Sequence, residues 1–197
     1  MTTIINGSSP SITFSDSTTQ TTAFTGSASQ LTTGTLPFSV MPTGSVLQVV
    51  SATKTDVFTA SSGSWVSITG LSASITPKFS TSKIVIMASV SFGTRAASDY
   101  DVAFALYKNG SAITGATGDT AGSRTRCSFS GASRQDYELN NGGMNYLDSP
   151  ASTSAQTYAV YGRYNGGTMY INRCYFDSDD AGTERGVSTI TVMEIAA

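Results

Sequence analysis

Ser82-Lys83-Ile84-Val85-Ile86-Met87-Ala88-Ser89-Val90-Ser91-Phe92 is the longest near-continuous apolar run in the chain. It contains no Pro, and a Gly follows only at position 93. Ile84, Ile86, Ala88, Val90 and Phe92 share one face at period two. Val85, Met87, Ser89 and Ser91 share the other, which begins apolar and turns polar. A helix would crowd the β-branched side chains against the preceding turn, and its period does not fit the alternation into Ser. The stretch therefore predicts a central strand, buried on one face and at least half covered on the other.

Working outward, strand signals repeat on both sides. Before the central run, 46–52, 56–60 and 65–69 read as strands. Gly70 is expected to separate 65–69 from a further strand carrying Leu71, Ala73 and Ile75. After it comes a polar loop, 93–101. Val102, Phe104 and Leu106 then face the core, with Ala103, Ala105 and Tyr107 opposite. Asn109-Gly110 is a hairpin turn because both residues tolerate positive φ, and 111–115 would return from it. Farther on, 124–130 and 135–139 read as strands, and Asn140-Asn141-Gly142-Gly143 as a turn. Residues 157–164 and 168–176 read as a hairpin over Asn165-Gly166-Gly167. The last strand, 187–195, ends so near the C-terminus that it is expected to pair inside a sheet. No amphipathic helix interrupts the series, so the chain is all-β, a sandwich or a barrel.

Composition narrows the role. Charged residues are 12% of the 197 residues, against roughly 25% in ordinary soluble domains. Ser, Thr and Gly take their place. The net charge of −2 gives no electrostatic case for nucleic acid or an anionic membrane. No apolar run approaches the roughly 20 residues that span a bilayer. The first residues lack a basic and an apolar leader region, so no signal peptide is expected. Histidine is absent, which removes the commonest general base and zinc ligand. Cys127 and Cys174 allow one disulfide by count, but a reducing cytoplasm favours two buried thiols.

Residues 1–44 differ from the rest. Thr, Ser, Gln and Gly dominate, and the apolar residues are too sparse to fold alone. The readings are a disordered tail, an extended arm on a neighbouring subunit, or an attachment segment. Ser11-Ile12-Thr13-Phe14-Ser15-Asp16-Ser17-Thr18-Thr19-Gln20-Thr21-Thr22-Ala23 resembles a short segment common in bacteriophage tail-fibre and related virion proteins. Leu31-Thr32-Thr33-Gly34-Thr35-Leu36-Pro37, with Met41 to Val50 after it, resembles the linker and first strand that follow there. The family's Gly after Asp16 is Ser17 here, which weakens a tight turn. The strand series and terminal strand resemble a tumour-necrosis-factor-like jelly roll, in architecture rather than in motif. That resemblance implies a homotrimer with the terminal and central strands near the threefold axis. With the coreless composition of 1–44 and the tail-fibre-like segments, the expected organisation is an extended N-terminal arm, 1–44, that binds other virion proteins, and a jelly-roll sandwich head, 45–197.

Candidate sites are each weighed against a plainer reading. Tyr137 and Tyr146 could stack on sugar rings, with Arg124, Arg126 and Arg134 near them in sequence for an acidic glycan. Equally, these arginines could pair across subunits. Tyr158, Tyr161 and Tyr170 read as strand filler, and Trp65 as core. Asp177, Asp179 and Asp180 form the carboxylate-rich stretch, with Glu184 nearby. Calcium is the alternative there, since oxygen-rich loops bind it, with Asp177, Asp179 and Asp180 as candidates. The spacing lacks the pattern of an EF-hand and a solvated turn is the plainer reading, so no metal and no cofactor are expected. No Gly-x-Ser-x-Gly elbow or Walker loop is present, so no enzyme is expected. A polysaccharide depolymerase using the 177–180 carboxylates is the enzymatic alternative.

The expectation is a non-enzymatic virion protein, a homotrimeric tail fibre whose head binds a host-surface glycan through loops 93–101 and 115–150. Three weak sites on one head gain avidity. The structural alternative is a trimeric cement protein on a capsid, with residues 1–44 threaded over its neighbours.

Overall fold

The computed structural model describes residues 12–13, 19–20, 37–95 and 101–197. Among residues 1–37, Ile12–Thr13 (β1) and Thr19–Gln20 (β2) pair antiparallel. The rest of the expected arm up to residue 36, and residues 96–100 of the expected loop 93–101, lie outside the described residues.

Phe38–Ala197 form a compact unit of their own. Its strands are Val46–Lys54 (β3), Phe58–Ala60 (β4), Val66–Ile75 (β5), Lys83–Gly93 (β6), Val102–Lys108 (β7), Ser111–Ala112 (β8), Phe129–Gly131 (β9), Asn140–Asp148 (β10), Gln156–Tyr164 (β11), Met169–Ile171 (β12) and Ser188–Ile195 (β13). Short 3-10 turns occupy Phe38–Val40 and Thr114–Ala116. Among the described residues, no helix is long and apolar enough to cross a membrane.

Two antiparallel sheets stack as a jelly-roll sandwich. The first is centred on β6, as its sequence predicts. β13 pairs one edge of β6, from Ile195 opposite Lys83 to Thr189 opposite Ser89, and β3 lies beyond β13. β10 pairs with β6 from Asp148 opposite Ile84 to Asn140 opposite Phe92. β12 pairs with β6 at Phe92 and Gly93 and carries β4. The second sheet runs β5-β11-β7, with β8 and β9 also paired to β7. The long strands β3, β5, β6, β7, β10, β11 and β13 alternate between the sheets in chain order. The period-two faces named above close on one another. Ile84, Ile86, Val90 and Phe92 meet Phe104, Leu106, Tyr158 and Val160 in a single core. Phe92 and Phe104 lie 5.1 Å apart, and Phe104 stacks on Phe129 at 4.9 Å.

Five expectations are corrected. Gly70 does not end a strand. β5 runs through it, with φ +83° at Gly70, and the buried set shifts phase from Ile68 to Leu71, Ala73 and Ile75. This is a glycine bulge, opposite the register shift between Ala159 and Tyr161. Asn140 to Gly143 is not a turn but the start of β10. A Cβ on Gly143 would collide with the Ala88 carbonyl oxygen, and one on Gly142 would press on the Phe129 ring. These glycines serve close approach rather than reversal. The 157–176 hairpin does not form either. β11 lies in the second sheet and β12 in the first, so the Asn165–Gly167 turn passes the chain between layers. Finally, 135–139 is a turn closed by Glu138 N–H donating to Gln135 O at 3.0 Å, and of 124–130 only Phe129 and Ser130 are in a strand, β9.

Candidate functional site

Two surfaces of the sandwich depart from what a solitary domain presents. The first is the outward face of the β6 sheet. Val49, Met193, Val85 and Leu147 stand side by side in register across β3, β13, β6 and β10. The next row is Ser51, Thr191, Met87 and Asn145, and the one after it is Thr53, Thr189, Ser89 and Gly143. None of these side chains is ionisable. Val49 is 55% exposed, Leu147 54% and Met87 37%. The outer face of an antiparallel sheet in water is ordinarily polar. An apolar row across four strands on such a face is the mark of a contact surface.

The second is a groove over the outward face of the other sheet. β7 supplies a floor of small residues, Ala103 and Ala105, because its large residues Phe104 and Leu106 point into the core. Beside the floor, Tyr107 stacks on Tyr161 with ring centres 3.7 Å apart, and Trp65 lies 6.3 Å from Tyr107. Residues 117–127 form the wall. Their loop is pinned at its base by Gly118 N–H donating to Cys127 O (3.2 Å), and by Arg126, which donates to Gly118 O (2.6 Å) and Thr114 O (3.3 Å). Ser128 ties the loop to β7, accepting from Leu106 N–H at 3.1 Å and donating to Ala116 O at 2.7 Å. Arg163 rises from β11, donating to Gly63 O and to Thr125 Oγ1. Arg124 donates to Ala121 O at 3.3 Å. Two adjoining hollows of about 310 and 360 Å³ share Thr125 and Arg163. The first holds Trp65, Arg124 and Arg126, and the second holds Asp101, Ser123 and Asn165.

The residues singled out from the sequence are placed apart. Arg124 lines the groove. Tyr137 is exposed and stacks on Phe176 at 5.1 Å. Arg134 sits in the same turn, its backbone N–H donating to the Glu138 carboxylate at 2.5 Å. Tyr146 lies in β10 rather than in a loop. It packs on the core with its hydroxyl against Gly115. Asp177 accepts from Arg185 at 2.6 Å and faces Arg173 at 3.5 Å, and Asp180 accepts from Gly182 N–H at 2.7 Å. These carboxylates organise their own loop, and among the described residues no cluster of three metal-type ligands forms. Cys127 and Cys174 are both free thiols, Cys174 buried and Cys127 half-buried in the groove.

Trp65, expected in the core, lies half-buried on the groove instead. Tyr107, Tyr161 and Arg163 were not expected to form a surface site. The readable signal was the alternation in β7 and β11, which sends these side chains outward together. Which loop would fold over them could not be read from periodicity.

No protein-family model matches the sequence, and no curated protein matches it. Among solved structures, the chain is similar to one titled "Structure of infectious bursal disease virus Gx strain", at 15% identity and a TM-score of 0.32. The match covers 84% of this chain and 42% of that one, less than half of its length.

Proposed function

We propose that the chain is a non-enzymatic structural protein of a bacteriophage virion, a homotrimeric tail-fibre protein whose compact unit meets the host surface. The observation that carries this reading is the row Val49–Met193–Val85–Leu147 on the outward face of the β6 sheet. Burying a Val or Leu side chain is worth roughly 1.5–3 kcal/mol, so leaving this row in water is a cost that association removes. With no ionisable group in the three rows, nothing there selects a charged partner, and a further copy of the same chain fits. β13 and β6 carry the middle of the row, which agrees with the threefold arrangement that the jelly-roll resemblance implies. The tail-fibre-like segments 11–23, 31–37 and 41–50 support the virion setting.

Light scattering of the full chain at micromolar concentration tests the oligomer. The expected mass is three copies. The double variant Val49→Lys/Leu147→Lys is expected to give a monomer that keeps its β-type circular dichroism. A monomeric wild-type chain would end the trimer reading. Labelling the chain on intact particles separates tail fibre from capsid cement.

A further inference from the structure

We propose that the groove over the β5-β11-β7 sheet is a binding site for an acidic saccharide, a short oligosaccharide bearing a carboxylate or sulfate. This rests on the reading of the unit as a host-recognition head and names the ligand class of that recognition. Three observations carry it, none of which involves the apolar row on the opposite sheet.

First, the groove gathers three cations at one end, with the carboxylate of Asp101 set at the other end of the hollow that Arg163 shares. Arg124, Arg126 and Arg163 converge on one groove, while the ion pairs Lys54–Asp56, Lys108–Asp148 and Asp177 with Arg173 and Arg185 lie elsewhere. Their hydrogen bonds go to backbone carbonyls and one Thr hydroxyl. A guanidinium has five N–H donors, of which Arg126 and Arg163 each use two and Arg124 one. The remaining donors suit the oxygens of a carboxylate or a sulfate. Second, an aromatic edge stands beside them. Trp65 lines the hollow, backed by the Tyr107–Tyr161 stack, and an indole face takes the apolar face of a sugar ring. Third, the far end reverses character. Asp101 and Asn165 there supply acceptors for hydroxyl groups, with Ser123 and Thr125 between. From Asp101 to Ala105 the floor runs about 13 Å at the rise of a strand, longer than a single ring needs. A nucleic acid strand is disfavoured, because Asp101 closes one end and the chain's net charge of −2 offers no phosphate track.

The chain contains its own reporters. Trp65 is the only Trp, so its emission reads the groove alone, and Cys127 lines the groove while Cys174 is 1% exposed. The full chain is titrated with sialyllactose and with a uronic-acid disaccharide, with lactose as the neutral control and an oligothymidylate as the nucleic-acid control. The acidic saccharides are expected to shift Trp65 emission with millimolar affinity per site and to slow reaction of Cys127 with a disulfide reagent. Lactose is expected to bind at least tenfold more weakly. Arg163→Gln is expected to lose tenfold or more in affinity. Arg124→Gln, whose side chain makes one bond to its own loop, keeps the fold and is expected to lose several-fold. No emission change and no Cys127 protection at 20-fold higher saccharide would overturn the proposal. A response to oligothymidylate in place of the saccharides would overturn it as well. The mass measurement above registers failure of the trimer reading independently.

Discussion

Asn172 is fully buried with φ +64°, a backbone state that Asn tolerates better than most residues. Its amide donates to Lys54 O at 2.8 Å and Asp56 O at 2.9 Å, while its carbonyl oxygen accepts from Ser188 Oγ at 2.6 Å. One side chain thus joins the ends of β3, β12 and β13. Asn172→Ala leaves those groups unpaired and adds backbone strain. It is expected to cost about 3 kcal/mol, since each orphaned buried partner costs roughly 1–3 kcal/mol, read as a lower urea midpoint at unchanged slope. Tyr158 offers a pH test. Burial, and then the bond from its hydroxyl to Asp148 (2.7 Å), raise its pKa well above the ordinary tyrosine value. In the unfolded chain a tyrosine ionises near pH 10, where folded Tyr158 keeps its proton. The folded state then holds more protons, so stability falls as pH rises. The contribution is whole below about pH 10 and shrinks above it. Tyr107, raised by burial and by Tyr161, acts in the same direction. Tyr158→Phe is therefore expected to make the loss of unfolding free energy between about pH 9 and pH 11 shallower without abolishing it.

At the scale of elements, what was legible follows from period two. β6, β7 and β13 were readable because alternating apolar residues leave one solution for which face is inside. β10 was not, because Asn140-Asn141-Gly142-Gly143 has the composition of a turn. Glycine serves reversal and close packing alike, and only the neighbouring strand decides between them. Gly143→Ala drives a methyl group into the Ala88 carbonyl and is expected to cost about 3 kcal/mol, comparable with severe overpacking. Gly118→Ala meets nothing within 4 Å and is expected to stay within about 0.5 kcal/mol of wild type. Thermal melts of the pair check this. The 157–176 hairpin failed for a related reason. A Gly-rich turn between two strands says that the chain reverses, not whether it returns to the same sheet. Arg126 could not be assigned to a loop clamp either, since its partners are backbone carbonyls at Thr114 and Gly118, which leave no imprint on side-chain pattern.

For the whole molecule, the surplus of apolar surface was readable in Val85 and Met87 on the second face of β6. Its extension across β3, β13 and β10 required the registers. If copies cover this face, apparent stability depends on protein concentration by mass action. The melting temperature of the wild-type chain is expected to rise across a hundredfold dilution series read from low to high. That of Val49→Lys/Leu147→Lys is expected to stay flat. The groove lies on the opposite sheet, so association through the apolar row leaves it open to solvent. One further detail has a practical consequence. Gly44 N–H donates to Ala196 O at 2.8 Å and Ala196 N–H to Ser45 O at 2.9 Å, so the compact unit is entered and left at the same spot. Such a unit behaves as a cassette. Phe38 lines one hollow with Ala197, so a short linker from Ala197 to Phe38, with new ends opened at the exposed Asn109-Gly110 turn, should give a circular permutant with the same sandwich, and the unit should graft into a surface loop of an unrelated carrier without prising that carrier apart.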